Sequence, residues 1–220
     1  MNQDQRLNFD FATLPASDRY RLLTSFVAPR PVALVSTLSE GGQSNAAPMS
    51  FFNVFAQEPP LLILGVQARS DGSEKDTVIN IRRTKEFVIN MVDGQIAEQM
   101  VICGANVPPD MDEVQLSGLT AVPSAKVAAP TILQSPCSME CRVERIIDFP
   151  SRALILGIVV QMKVRRSCLD DDGRYIRPGG YEPIARLHAD NYILSDRQFV
   201  LQKPASFAAV EAEFLGGLAQ

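Results

Sequence analysis

Apolar positions along the chain come mostly in short runs broken by turn residues, the pattern of a protein built from strands. Residues 32–38 (VALVSTL) are apolar and β-branched and predict a strand, closed by the turn Glu40-Gly41-Gly42-Gln43. Residues 45–54 (NAAPMSFFNV) read as a second, irregular strand. Residues 61–66 (LLILGV) read as a third, entered through Pro59-Pro60, and residues 86–92 (EFVINMV) as a fourth. Residues 139–149 alternate, with Met139, Cys141, Val143 and Ile147 set against Glu140, Arg142 and Glu144. Residues 152–164 continue as a long strand, and Asp170-Asp171-Asp172-Gly173 marks a turn.

Helical spacing is confined to a few stretches. Between residues 17 and 27, Ser17 is the expected N-cap, Tyr20, Leu23 and Val27 share a face, and Pro29 and Pro31 end the helix. Residues 75–83 predict a short helix with Val78, Ile79 and Ile81 as its buried side, and residues 94–103 another. Residues 204–218 open with a proline and predict a terminal helix. Residues 104–136, rich in Pro, Asp, Ser and Ala, predict a long excursion. Strands outnumber helices and do not alternate with them, so an antiparallel barrel with peripheral helices is expected rather than a doubly wound parallel sheet. A single domain spanning residues 1–220 accounts for the length, with residues 1–19 as a lead-in and 204–220 as the C-terminal helix.

Composition narrows the function classes. The chain carries 21 Lys and Arg against 25 Asp and Glu, a net charge of −4, with no basic stripe; nucleic acid and anionic membrane surfaces are disfavoured partners. The apolar run at residues 153–160 (ALILGIVV) is too short to span a bilayer, and the N-terminus does not read as a signal peptide. A cytoplasmic location with reduced thiols is expected for Cys103, Cys137, Cys141 and Cys168. The single histidine, His188, and the spacing of Cys137 and Cys141 make a structural zinc site improbable, and no metal is expected. The Asp170–Gly173 run lacks the ligand spacing of a calcium loop. There is no Walker loop, no GxGxxG after a strand and no GxSxG.

The chemistry concentrates between residues 30 and 77. Hydroxyls (Ser36, Thr37, Ser50, Thr77), amides (Asn45, Asn53), aromatic rings (Phe51, Phe52) and the small residues Ala46 and Ala47 gather near predicted strand ends. Small residues let a flat ligand approach the main chain. Lys75, Asp76 and Thr77 fall where a helix begins, and unpaired helix N–H groups beside a cation suit a phosphate. The competing reading has Asp76 or Thr77 only capping the helix, with Lys75 in solvent. Phe51 and Phe52 point to opposite sides of a strand, so one of them belongs to the core.

The strings PRPVALVST, NAAPMSFFNVFAQEPPLLILGV, KDTVINI, EFVINMV, LQSPCSMECRV and RLHADNY, in this order, resemble the flavin reductase-like family of FMN-binding split barrels, flavoredoxin type. The resemblance implies a mainly β, six-stranded antiparallel split β-barrel with Greek-key character, a homodimer, and non-covalent FMN near the subunit interface. It implies that Ser36 and Thr37 approach the flavin and that Asn45, Ala46 and Ala47 lie against its ring. Ser50, Phe51, Phe52 and Asn53 would hold the ring edge and ribityl chain, and Lys75, Asp76 and Thr77 the phosphate. His188, between Arg186 and Tyr192 in RLHADNY, is the candidate catalytic residue, positioning nicotinamide or a water, or alternatively a structural hydrogen-bonder. The implied activity is an FMN-dependent NAD(P)H oxidoreductase that passes electrons to free flavin, an oxygenase or an electron carrier. The alternative is a flavin-binding electron carrier without nicotinamide turnover.

Overall fold

The computed structural model describes residues 6–105, 111–195, 197 and 199–201. Helix α1 (Ala16–Phe26) leads through β1 (Arg30–Pro31) into β2 (Ala33–Leu38), β3 (Ser44–Met49), β4 (Phe52–Gln57) and β5 (Pro60–Gln67). Helix α2 (Asp76–Thr84), β6 (Glu86–Met91), α3 (Ala97–Ile102), α4 (Glu113–Leu116) and the short strands β7 (Ala121–Val122) and β8 (Thr131–Ile132) follow. The long hairpin β9 (Cys137–Phe149) and β10 (Arg152–Val164) precedes a 3-10 turn (Arg166–Cys168), β11 (Ile184–Arg186) and β12 (Tyr192–Leu194). The main sheet runs β3-β2-β6-β9-β10-β5-β4, every pairing antiparallel. This is a mainly β split barrel with seven strands in the sheet where six were expected.

The extra strand arises where one irregular strand was expected over residues 45–54. The chain breaks at Ser50 and Phe51, so β3 and β4 sit at opposite edges of the sheet. Pro48 in β3 cannot donate to a ladder, which an edge strand tolerates and a central one does not. The sheet wraps one core made of Val35, Phe52, Leu64, Phe87, Ile89 and Ile155, closed at one end by Val78 and Ile81 of α2. A second cluster on the other face of β2 joins Leu34 and Ala46 to Met100 of α3, Val114 of α4, Ile132 and Ile184. Because β2 is covered on both faces, Ala33 to Thr37 are all buried, and Ala33-Leu34-Val35 is an apolar run rather than an alternation.

Two helix expectations are corrected. α1 begins at Ala16 with Pro15 at the N-cap, not at Ser17, and among its residues only Thr24 is buried; Tyr20, Leu23 and Val27 are exposed. In α2, Val78 and Ile81, three apart, face the core together, whereas Ile79 is turned about a hundred degrees away and is exposed. The expected C-terminal helix over residues 204–220 lies outside the described residues, as do residues 106–110 of the excursion.

The excursion is tied to the barrel by polar side chains rather than by regular structure. Glu140 of β9, wholly buried, accepts hydrogen bonds from the main-chain N–H groups of Ala125 and Lys126, and the Lys163 ammonium lies 3.5 Å away. Asn90 of β6 accepts from Ile132 N and Ser138 Oγ, and donates to Leu34 O and Ser36 Oγ. These contacts carry α4 to the open end of β3, where it bounds the principal cavity.

Candidate functional site

A cavity of about 640 Å³ lies between β3, the β5–α2 loop, the end of α3, α4 and the β11–β12 hairpin. That volume is within the range of small-molecule and cofactor sites, roughly 300–1,000 Å³. Its floor is set by α2. Lys75 stands at the N-cap in extended conformation and no side chain caps the helix, so the first-turn N–H groups of Asp76 and Thr77 open toward the cavity. The Lys75 ammonium makes no ion pair among the described residues. Burial, and next the neighbouring Arg69, hold it below the ordinary lysine range. Arg69, by contrast, is engaged by Asp76 Oδ2 at 2.5 Å and by the carbonyl of Glu74.

The loop that delivers these groups is a tight turn. Ser73 O accepts from Arg69 N at 2.8 Å, Gly72 adopts a positive φ of 85°, and Asp71 Oδ1 accepts from Ser73 N and Oγ. Those bonds hold the Asp71 carboxyl below the usual carboxylate range.

The cavity's inner wall is a buried polar chain. Asn45 Oδ1 accepts from Thr37 Oγ1 at 3.1 Å and from Thr77 Oγ1 at 3.3 Å; Thr37 Oγ1 accepts from Asn80 Nδ2 at 3.1 Å. Asn45 Nδ2 donates to Glu113 Oε1 at 2.8 Å. The adjoining wall is apolar and low, made by Ala47, Pro48, Met100 and Val101. Gly104 packs closely there: a Cβ on it would stand 3.1 Å from Pro48 Cγ and from the Val101 carbonyl oxygen, tighter than ordinary contact. On the rim, the Arg186 guanidinium lies 5.7 Å from the centre of the Tyr192 ring and donates to Ala189 O.

Five of the sequence-singled residues, Asn45, Ala47, Lys75, Asp76 and Thr77, line this cavity together, and Thr37 stands one hydrogen bond behind them. The others are placed elsewhere. Ser36 and Ala46 face the second core cluster; Ser36 Oγ donates to Pro130 O and so fastens the excursion. Phe52 is in the barrel core. Phe51 packs edge-on against Tyr20, with the Arg152 guanidinium 5.2 Å from its ring centre, and does not line the cavity. Ser50 and Asn53 are also outside the lining, and Asn53 Oδ1 accepts from Val54 N. His188 is exposed in the β11–β12 turn, where its carbonyl accepts from Asn191.

Sequence reading missed Arg69 and Glu113. Arg69 sits in a polar loop with nothing to distinguish it from a solvated arginine. Glu113 reaches Asn45 across 68 residues of chain, and no local spacing announces such a contact. Its one legible sign is Asp112, an N-cap whose Oδ1 accepts from Val114 N and Gln115 N and so marks the start of α4.

Residues 26–184 match the family model described as flavin reductase like domain. The chain belongs to this family. It is similar in structure to nitrilotriacetate monooxygenase component B from Bacillus cereus, with a TM-score of 0.86 and 33% identity, covering 90% of this chain and 100% of that one. It is also similar to the 2-nitrobenzoate 2-nitroreductase NbaA of Pseudomonas fluorescens, with a TM-score of 0.83 and 34% identity over 90% of this chain and 97% of the other. The flavoredoxin of Desulfovibrio vulgaris (Miyazaki F) shares the fold, with a TM-score of 0.70 at 22% identity, covering 83% and 94% of the two chains. Among the described residues no helix is long and apolar enough to cross a membrane.

Proposed function

We propose that this protein is an oxidoreductase that binds FMN in the 640 Å³ cavity and uses NAD(P)H as its hydride donor. The observation that carries the reading is Lys75: a half-buried ammonium without an ion pair among the described residues, at an uncapped helix N-terminus, on the wall of a cavity whose other side is apolar and low. A dianionic phosphate suits that corner, because it accepts from the first-turn N–H groups and relieves the repulsion between Lys75 and Arg69. Asp76 does not oppose it, since its charge is already paired with Arg69. Ala47 and Pro48 leave a flat ring room to lie against β3, and Met100 and Val101 exclude water from that side.

FMN, when bound, supplies the ring that takes up hydride; the chain supplies binding, orientation and shielding from water. Lys75 and the amides of Asp76 and Thr77 anchor one end of the ligand. Asn45, fixed by Thr37, Thr77 and Glu113, keeps the inner wall rigid. Arg186 and Tyr192 on the rim offer a cation and a ring where a second substrate enters. The similarity to a monooxygenase component B and to a nitroreductase supports electron delivery to an oxygenase partner, free flavin or another small acceptor.

The test is an anaerobic stopped-flow trace at the flavin absorbance, with FMN-loaded protein mixed in turn with NADH and NADPH. Rapid bleaching with one donor is the expected result. Stable colour with both donors overturns nicotinamide turnover and leaves an electron carrier reduced by a partner.

A further inference from the structure

The carboxyl group of Glu113 is only half used by the protein. Oε1 accepts from Asn45 Nδ2 at 2.8 Å, but Oε2 is buried without a hydrogen-bond partner among the described residues, in a residue that is 9% exposed. Buried oxygens without partners are rare in folded proteins and call for a reason. Glu113 also lines the principal cavity, beside Asn45, Asp76 and Thr77. Through Asn45 it is two hydrogen bonds from Thr77, in the first turn of α2.

We infer that Glu113 is a ligand-binding residue whose Oε2 pairs with a hydroxyl of the polyol chain next to the phosphate. This inference rests on the flavin reading above and assigns the polyol a partner on α4. The position next to the phosphate corner selects a hydroxyl rather than a ring atom, because in FMN the ribityl chain is what adjoins the phosphate. Burial pushes the Glu113 carboxyl above its usual range, its own main-chain N–H, then Asn45 and the Ala46 main chain, pull it back, and the Asp76 charge adds to the rise. Oε2, without a partner among the described residues, has a free lone pair with which to accept a hydrogen bond from such a hydroxyl.

The experiment titrates the full chain with riboflavin and with lumiflavin, which has the ring but no polyol, and follows flavin fluorescence. Glu113→Ala is expected to weaken riboflavin about tenfold while leaving lumiflavin within about twofold. Glu113→Gln, which keeps hydrogen-bonding atoms at both positions, is expected to bind riboflavin nearly as the unsubstituted protein does. Equal losses on the two ligands make Glu113 a prop for Asn45 and overturn the inference; so does no loss on either. Should Glu113→Ala fail to fold, the carboxyl-carbon NMR resonance of Glu113 in the unsubstituted protein decides. A shift produced by riboflavin and not by lumiflavin supports the contact, and identical responses overturn it. Unsubstituted protein that binds neither riboflavin, lumiflavin nor FMN removes the flavin reading itself, a pattern distinct from all of these.

Discussion

At the scale of single residues, the cavity is defined by what its charged groups lack. Arg69 and Asp76 satisfy each other, Asp71 accepts from Ser73, and Lys75 makes no ion pair among the described residues. An ammonium that burial and Arg69 hold below its ordinary pKa gains from an incoming anion, because the opposite charge offsets both penalties on its charged form. Lys75→Ala is therefore expected to weaken FMN by about 1–3 kcal/mol, the scale of a charge-assisted hydrogen bond. Riboflavin, without the phosphate, should be far less affected. Parallel fluorescence titrations of both ligands check this, and unchanged FMN affinity would return Lys75 to the role of a solvated cation. Two candidate residues illustrate the limit of local reading. Ser36 and Thr37 are neighbours in sequence, yet the pleat sends one to the excursion and the other to the cavity's inner wall.

At the scale of elements, the excursion between β6 and β9 is held by buried polar side chains, of which Glu140 is the clearest. Burial by itself would raise its carboxyl; the N–H groups of Ala125 and Lys126 and the Lys163 ammonium outweigh that and leave it below its ordinary value of 4.5. A carboxyl whose folded pKa is depressed stabilises the fold above the unfolded value and loses that contribution as pH falls through the folded value. Glu140→Ala should cost about 3 kcal/mol at pH 7, since it leaves two N–H groups without their acceptor. The gap between variant and unsubstituted protein in urea unfolding should close as the pH is taken below 4.5. A gap independent of pH would mean that packing, not the carboxylate, fastens the excursion. The β9–β10 hairpin depends instead on a close approach. A Cβ on Gly157 would overlap the Phe87 ring, so the bulge between Leu156 and Gly157 is matched to the core aromatic.

At the scale of the whole molecule, the outer surface is more apolar than a lone barrel needs. Phe26 and Val27 at the end of α1 are 82% and 64% exposed, and Val54 and Phe55 on the edge strand β4 are 67% and 64% exposed. An unpaired edge strand carrying exposed aromatic and β-branched residues invites association. We propose that a second copy of the chain covers this surface, and sedimentation equilibrium should then give about twice the chain mass of 24.1 kDa at micromolar concentration. Phe55→Asp is expected to shift that mass toward the single chain. A monomeric unsubstituted protein would leave the apolar surface to a different partner.

The sequence by itself determined the mainly β class, the positions of most strands, and five residues that converge on one cavity, because these depend on local signals. Solid or alternating apolar runs mark strands, turn residues separate them, and Lys75-Asp76-Thr77 announces a helix start. Only the tertiary structure decided that residues 45–54 divide between opposite sheet edges, since that turns on which strands pair across the barrel. Only it brought Glu113 to Asn45, and set Arg69 against Asp76 so that Lys75 is left uncompensated. Those contacts join segments distant along the chain or on separate turns, and their geometry is set by how the excursion and loops pack on the sheet. A hydrophobic pattern records which face of an element is buried; it does not record what that face is buried against.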